Sequence, residues 1–314
     1  MRICSLLPST TEILCTLGLE ENIVGITHEC DYPPGIRNKP RIVMSSIDHS
    51  TMNNRQIDKI VSSNRKEGKS TYIVDREKLK DAKPDIIITQ GLCDVCAVSG
   101  DIVEDAVSTL GYRPEIISLA PSDIEQVLDT IKTLGEVTGQ KKRAVRVVEE
   151  LERRINRVRE ALSNERDRPR VFCLEWLEPP YVAGHWIPEM INYAGGINGL
   201  SETGYPSRKV KWDEILEFAP NKIIVMPCGF NINDTLDELD TVLSSNVWHR
   251  LPASRKGEVY LVDANSYFSR PGPRIVEGLE ILAGILHPDI FKKTPPVDSV
   301  MNLRNYMHLQ SFLG

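Results

Sequence analysis

Residues 139–164 read GQKKRAVRVVEELERRINRVREALSN. Apolar side chains recur at Val145, Val148, Leu151, Ile155, Val158 and Leu162, three or four positions apart. Charge covers the other faces, through Lys141, Lys142, Arg143, Glu149, Glu150, Glu152, Arg153 and Arg154. The spacing predicts one amphipathic helix of about 25 residues, roughly 38 Å long at 1.5 Å per residue. The polar run from Asn164 to Pro169 ends it, because proline cannot continue the hydrogen-bond ladder. Such a helix can cross one lobe and deliver the chain to another.

Short β-like runs alternate with helical patterns on both sides of it, which predicts α/β layers with parallel sheets. Candidate strands are 2–7, 22–27, 85–89 and 115–118, then 170–175, 222–227 and 258–263. Helices are expected at 10–18, 54–65, 101–110 and 122–138, then at 187–194, 212–218 and 272–286. The two sides also echo each other in the same order. Arg2-Ile-Cys-Ser-Leu parallels Arg170-Val-Phe-Cys-Leu, and the stretch from Ala82 to Gly91 parallels that from Ala219 to Gly229. The stretch beginning at Gly111 likewise parallels the one beginning at Gly257. The expected fold is two similar α/β lobes joined by one long bridging helix, with a ligand cleft between them. The divisions are 1–138, a helix over 139–168, 169–290, and a C-terminal tail over 291–314.

A chain of 314 residues, 41% of them apolar, is large enough for two cores. Its net charge of -6 argues against a nucleic-acid or anionic-membrane surface. No apolar run approaches the ~20 residues of a membrane span. Met1-Arg2 leads into Ile3-Cys4-Ser5-Leu6-Leu7-Pro8 without a basic leader or long apolar segment, so a cytoplasmic chain is expected. Seven cysteines, an odd number without framework spacing, are expected to be mostly free thiols.

Several motifs carry a wider resemblance. They are Leu6-Leu7-Pro8-Ser9-Thr10-Thr11-Glu12, the stretch Gly25-Ile-Thr-His28 with Asp31-Tyr32-Pro33-Pro34, Lys83-Pro84-Asp85-Ile-Ile-Ile, and Ser269 with Pro273-Arg274-Ile275. From Ile3 to about Leu286 the chain resembles the helical-backbone substrate-binding proteins of ABC importers, nearest the cobalamin-binding branch. The resemblance implies two lobes bridged by a helix, and a binder of corrinoids or other metal chelates rather than an enzyme. The chain departs from the pattern in three places. It shows no export signal, which counts against docking on an ABC permease. It carries extra polar sequence around Asp48–Lys69, and it has cysteine and histidine loops of its own.

Ligands of open α/β sheets sit beyond the carboxyl ends of the strands, where these loops are expected. Ser9 to Glu12 has the spacing of a capping box, and a helix start with Ser9 and Thr10 could also offer N–H groups to an anionic ligand edge. His28 and Cys30 alternate in a proline-stiffened loop and could share a target, while Tyr32 offers a flat ring. Cys93-Asp-Val-Cys96 reads first as two small buried residues, then as half a thiolate metal site, then as a redox couple. With His28 and Cys30 it forms the candidate metal set, for zinc or iron. Trp176, Glu178, Tyr181, His185 and Trp186 crowd one loop, and Tyr267, Phe268 and Arg270 another. Aromatic walls with few polar groups suit a large planar ligand, and Arg270 could pair a carboxylate or phosphate.

No phosphate loop, dinucleotide fingerprint, H-E-x-x-H or nucleophile elbow is present. The expected ligand is therefore cobalamin, a related corrinoid or another metal chelate, held without turnover. The alternative is a cytosolic metal-dependent enzyme using His28, Cys30, Cys93, Cys96 and His185.

Overall fold

Three consecutive isoleucines open the strand Ile86–Gln90, and all three are buried. β-branched residues covered on both faces are what a central parallel strand requires. A computed structural model describes residues 1–47, 52–67, 69–91 and 100–313. It divides the chain into two compact units. Unit 1 comprises Met1–Pro121 and Glu125–Val148, and unit 2 comprises Ser122–Ile124 and Glu149–Gly314.

Unit 1 holds strands β1 (Ile3–Ser5), β2 (Ile23–Thr27), β3 (Arg41–Ser45), β4 (Tyr72–Val74), β5 (Ile86–Gln90) and β6 (Glu115–Leu119). They lie in the order β4-β3-β2-β1-β5-β6, and only β4 runs antiparallel to its neighbour. Unit 2 holds β7 (Val171–Trp176), β8 (Tyr181–Val182), β9 (Arg208–Lys209), β10 (Lys222–Val225), β11 (Val259–Val262) and β12 (Val300–Asn302). Their order is β12-β11-β10-β7-β8-β9, with β7, β10 and β11 parallel and the outer strands antiparallel. The two α/β lobes expected from sequence are thus present, each built on a six-stranded sheet. The sheets are mixed rather than wholly parallel. The segment 291–314, expected as a tail, contributes β12 and the helix Leu303–Leu313 to unit 2.

The sequence echo has a physical counterpart. In unit 1 the Arg2 carbonyl accepts from the Asp85 and Ile86 amides at 2.8 and 3.2 Å. The Arg2 amide donates to Asp85 Oδ2 at 2.7 Å, and its Nε to the Ala82 carbonyl at 2.8 Å. In unit 2 the Arg170 carbonyl accepts from the Asn221 and Lys222 amides at 2.7 and 3.1 Å. Its own amide donates to Asn221 Oδ1 at 2.8 Å, and its Nε to the Ala219 carbonyl at 3.0 Å. Each arginine ties the first parallel strand of its lobe to the helix end and turn before the next one. The matched residues hold the same positions in both lobes.

The long helix runs over Lys141–Ala161, 21 residues and about 32 Å. Residues Lys141–Val148 belong to unit 1 and Glu149–Ala161 to unit 2. Its buried stripe is Ala144, Val148, Leu151, Ile155 and Val158, continued by Leu162 just beyond its end. Val145, expected in the stripe, is 42% exposed. Ala144 takes its place because a Cβ on Gly135 would lie 2.3 Å from the Ala144 Cβ, so only small residues fit that contact. No described helix is long and apolar enough to cross a membrane.

Candidate functional site

In unit 1 the chain leaves β1 at Ser5 and turns into the helix Pro8–Thr16. The expected capping box does not form. Leu7 is the cap residue without a side-chain bond, and Pro8 takes the first helical position, where its missing N–H costs nothing. Ser9 and Thr10 are buried inside the first turn. The hydroxyls bond one another: Ser5 and Thr10 lie 2.6 Å apart, and Thr11 donates to Ser5 at 2.8 Å. Thr11 also lies 3.1 Å from the Cys30 thiol, which is 3.5 Å from Thr27.

Cys30 is therefore a buried member of a hydroxyl nest. His28 faces different neighbours. Its amide donates to the Val43 carbonyl at 2.9 Å and its ring lies 6.1 Å from that of Tyr72. Its Nε2 is 3.7 Å from Glu29 Oε1, beyond hydrogen-bond range, so His28 and Cys30 have different neighbours within the chain. Tyr32 is 45% exposed. Cys93 and Cys96 lie outside the described residues. Among the described residues no group of three or more His, Cys, Asp or Glu is placed to hold a metal. Burial pushes the Cys4 and Cys15 thiols up to about 12, which disfavours the thiolate that metal binding and redox exchange need.

In unit 2 the loops after β7, β10 and β11 are laced together at the carboxyl edge of the sheet. The Cys228 amide donates to the Glu175 carbonyl at 3.0 Å, and the Asn265 amide to the Phe230 carbonyl at 3.0 Å. The Gly229 amide donates to Ser269 Oγ at 3.1 Å, and Arg270 Nη2 to Asn265 Oδ1 at 2.8 Å. At the end of β7 the Trp176 ring meets Phe230 edge-on at 5.8 Å. Its indole N–H is buried without a hydrogen-bond acceptor among the described residues. Tyr181 stands opposite Trp176 in the β7–β8 pair, with Lys209 Nζ 5.5 Å from its ring centre, and Glu178 sits half-buried in the turn between them.

Other expected contacts are spent inside the lobe. Trp186 is 5% exposed and donates its indole N–H to the Phe268 carbonyl at 2.9 Å, and Phe268 itself is 2% exposed. Arg270 is 7% exposed, and Tyr267 stacks with Arg274 at 5.7 Å. His185 sits at φ +52, with its amide donating to the Tyr205 carbonyl and its ring 5.6 Å from that of Trp186. The structure thus joins Trp176 and Arg270 in one rim and uses Trp186 and Phe268 as its foundation. Phe230 and Asn265 are additions, and only their place just past an apolar strand could have marked them in the sequence.

Burial lowers the pKa of both His28 and His185 below the usual 6.5, so the fold holds them neutral. The unfolded chain takes up protons there first, so their contribution to stability is complete above pH 6.5 and is lost as pH falls. We expect the unfolding free energy from urea titration to drop between pH 7.5 and 5.5, by at most about 1.4 kcal/mol per pH unit per histidine, and by less where solvent reaches the ring. Replacing both by glutamine should flatten that slope, and an unchanged slope would contradict the assignment.

Comparison with known proteins agrees with this architecture. The model of the periplasmic binding protein family matches residues 3–266. The chain belongs to that family. It is 25% identical over 300 residues to the uncharacterized ABC transporter substrate-binding lipoprotein YvrC of Bacillus subtilis, covering 93% of this chain and 82% of the relative. It is 21% identical over 286 residues to a vitamin B12-binding protein of Vibrio cholerae, covering 89% and 86% of the two chains. Among solved structures, the periplasmic heme-binding protein RhuT from Roseiflexus sp. RS-1 superposes with a TM-score of 0.69 at 20% identity. That match covers 92% of this chain and 98% of RhuT. The helical-backbone resemblance read from the motifs is thereby shown at the level of the family.

Proposed function

We propose that this protein binds a metal chelate, a corrinoid such as cobalamin in the first place, as a substrate-binding protein of an ABC importer and without turnover. The observation that carries the reading is the Trp176–Phe230 corner at the carboxyl edge of the unit 2 sheet, with its unsatisfied indole N–H. An aromatic wall with one unused donor suits the face and polar rim of a large ring. Tyr181, opposite Trp176 in the β7–β8 pair, would supply a further flat contact. The Vibrio cholerae relative is a vitamin B12-binding protein, and RhuT is a heme-binding protein. Both names support a metal-chelate ligand.

Absorbance titration and equilibrium dialysis with cobalamin, cobinamide and haem test this. Saturable binding of a corrinoid is expected, and Trp176→Ala should weaken it by about thirty-fold, the loss of a central aromatic anchor worth about 2 kcal/mol. Absence of binding to any of the three, with one zinc or iron held tightly through dialysis, would overturn the reading in favour of a metalloprotein.

A further inference from the structure

In unit 1 the strand β2 ends at Thr27, and the chain turns at once. The Cys30 amide donates to the Thr27 carbonyl at 3.3 Å, and the Glu29 amide to Thr27 Oγ1 at 3.1 Å. His28 still holds the neighbouring strand, through its amide to the Val43 carbonyl at 2.9 Å. Its ring rests against Tyr72, with the two planes at 44°. The turn leaves the Glu29 carboxylate beside that ring, with Oε1 3.7 Å from Nε2.

The hydrogen on this ring can be placed. Nδ1 lies 3.3 Å from the Val43 carbonyl oxygen. A carbonyl only accepts, so Nδ1 carries the hydrogen of this bond. Burial, with the charge of Arg41 adding to it, lowers the His28 pKa below 6.5 against the pull of that carbonyl, and the ring is uncharged in the neutral range. Nε2 therefore holds a lone pair, buried and without a hydrogen-bond partner among the described residues. It faces a carboxylate oxygen, and neither atom has a hydrogen to give the other. A histidine that spends its second N–H on a backbone carbonyl is oriented as metal-ligating histidines are.

A metal ion fits the gap better than a shared donor group. With bonds of about 2.1 Å on each side, a separation of 3.7 Å sets an angle of about 125° at the ion. Closing the pair by about 0.3 Å makes that angle tetrahedral. A bridging ammonium or amide nitrogen would stand about 2.9 Å from each acceptor, with only about 80° between its two bonds. We propose that His28 Nε2 and Glu29 Oε1 bind a divalent first-row metal ion such as zinc, with water completing its coordination. The imidazole selects zinc, copper or nickel over magnesium and calcium. With two protein donors among the described residues, and the positive charge of Arg41 working against it, the ion is exchangeable and lost on dialysis. The pair lies within unit 1 and is independent of which chelate the protein takes.

Zinc titration of the full chain, labelled in its histidines and followed by nitrogen-15 NMR, tests the pair. We expect the His28 Nε2 signal to move saturably and to return after dialysis. Magnesium should leave it in place. Glu29→Gln alters a side chain that is 42% exposed, so the fold is kept. It should raise the zinc midpoint by at least about tenfold, since even groups that only support a metal ligand are worth that much. A His28 signal that stays still while zinc shifts the other histidines would overturn the proposal, as would an unchanged midpoint in Glu29→Gln. A response of His28 to methylammonium but not to zinc would also overturn it, and would assign the pair to a hydrogen-bond donor instead.

Discussion

Glu280→Ala should destabilise unit 2 by about 3–5 kcal/mol, the usual cost of removing one partner of a buried ion pair. Glu280 is 3% exposed and lies on the helix Ile275–Leu286. Arg154 of the long helix grips it through Nη2 at 2.5 Å and Nε at 3.2 Å, and Lys293 Nζ donates to the same Oε2 as Arg154 Nη2. Burial pushes the Glu280 pKa up, but the bonds from Arg154 and Lys293 outweigh it, and the net shift is downward. Its contribution is therefore present above the ordinary glutamate value of 4.5 and is lost as pH falls below it. Removing the carboxylate strands Arg154, whose side chain is only 19% exposed. Glu277, 3.6 Å away and 34% exposed, compensates little. Urea unfolding followed by tryptophan fluorescence measures the effect. The double replacement of Arg154 and Glu280 by methionine should recover most of the loss, because it also removes the stranded charge. A loss below about 1 kcal/mol in Glu280→Ala would show that water reaches the pair.

Gly278→Ala is the second large effect, and it reaches the candidate site. A Cβ at this position would lie 2.2 Å from the Tyr267 carbonyl oxygen and 3.2 Å from the Phe268 ring. The oxygen is backbone, so relief requires moving the segment that carries Tyr267, Phe268 and Arg270. Overpacking costs about 1–3 kcal/mol, more where backbone must shift, against a gain of at most about 1 kcal/mol in helix propensity. We expect a net loss of about 2 kcal/mol and weaker chelate binding through displacement of Arg270. Gly284 on the same helix is the control. Its nearest neighbours to a new Cβ stand at 3.7 and 3.9 Å, so Gly284→Ala should be neutral or slightly stabilising. Equal behaviour of the two variants would refute the steric argument.

The elements legible in the sequence were those with a strong local period or an apolar core. The seven expected strands all appear within a few residues of their positions, because runs such as Ile86-Ile-Ile and Lys222-Ile-Ile-Val carry their burial in their composition. β3, β4, β8, β9 and β12 were missed. β8 and β9 have only two residues each, too few to show alternation, and β4 and β12 have three. β3 exposes Arg41 and Met44, which hides its pattern. These strands form because a neighbour offers an edge, and that information lies far away in the chain.

The candidate site divides along the same line. Residue types were visible: the aromatic and charged loops at 176–186 and 267–270 do follow strands and do meet at one sheet edge. Which side chains remain available was not visible. Trp176 and Trp186 look alike in sequence, ten residues apart. One keeps an unused N–H at a rim, and the other is consumed by the Phe268 carbonyl. His28 and Cys30 likewise share a loop but face different neighbours.

Sequence by itself determined the two α/β lobes, the long helix between them and the repeated arginine that opens each parallel core. These follow from periodicity and from hydrogen bonds that a short motif carries complete. Tertiary structure alone decided the phase of the helix stripe, which moved from Val145 to Ala144 because Gly135 admits only a small neighbour there. It also decided which aromatic rings stay at the rim. Burial and hydrogen-bond pairing depend on what packs from distant elements, and no local window of sequence contains that.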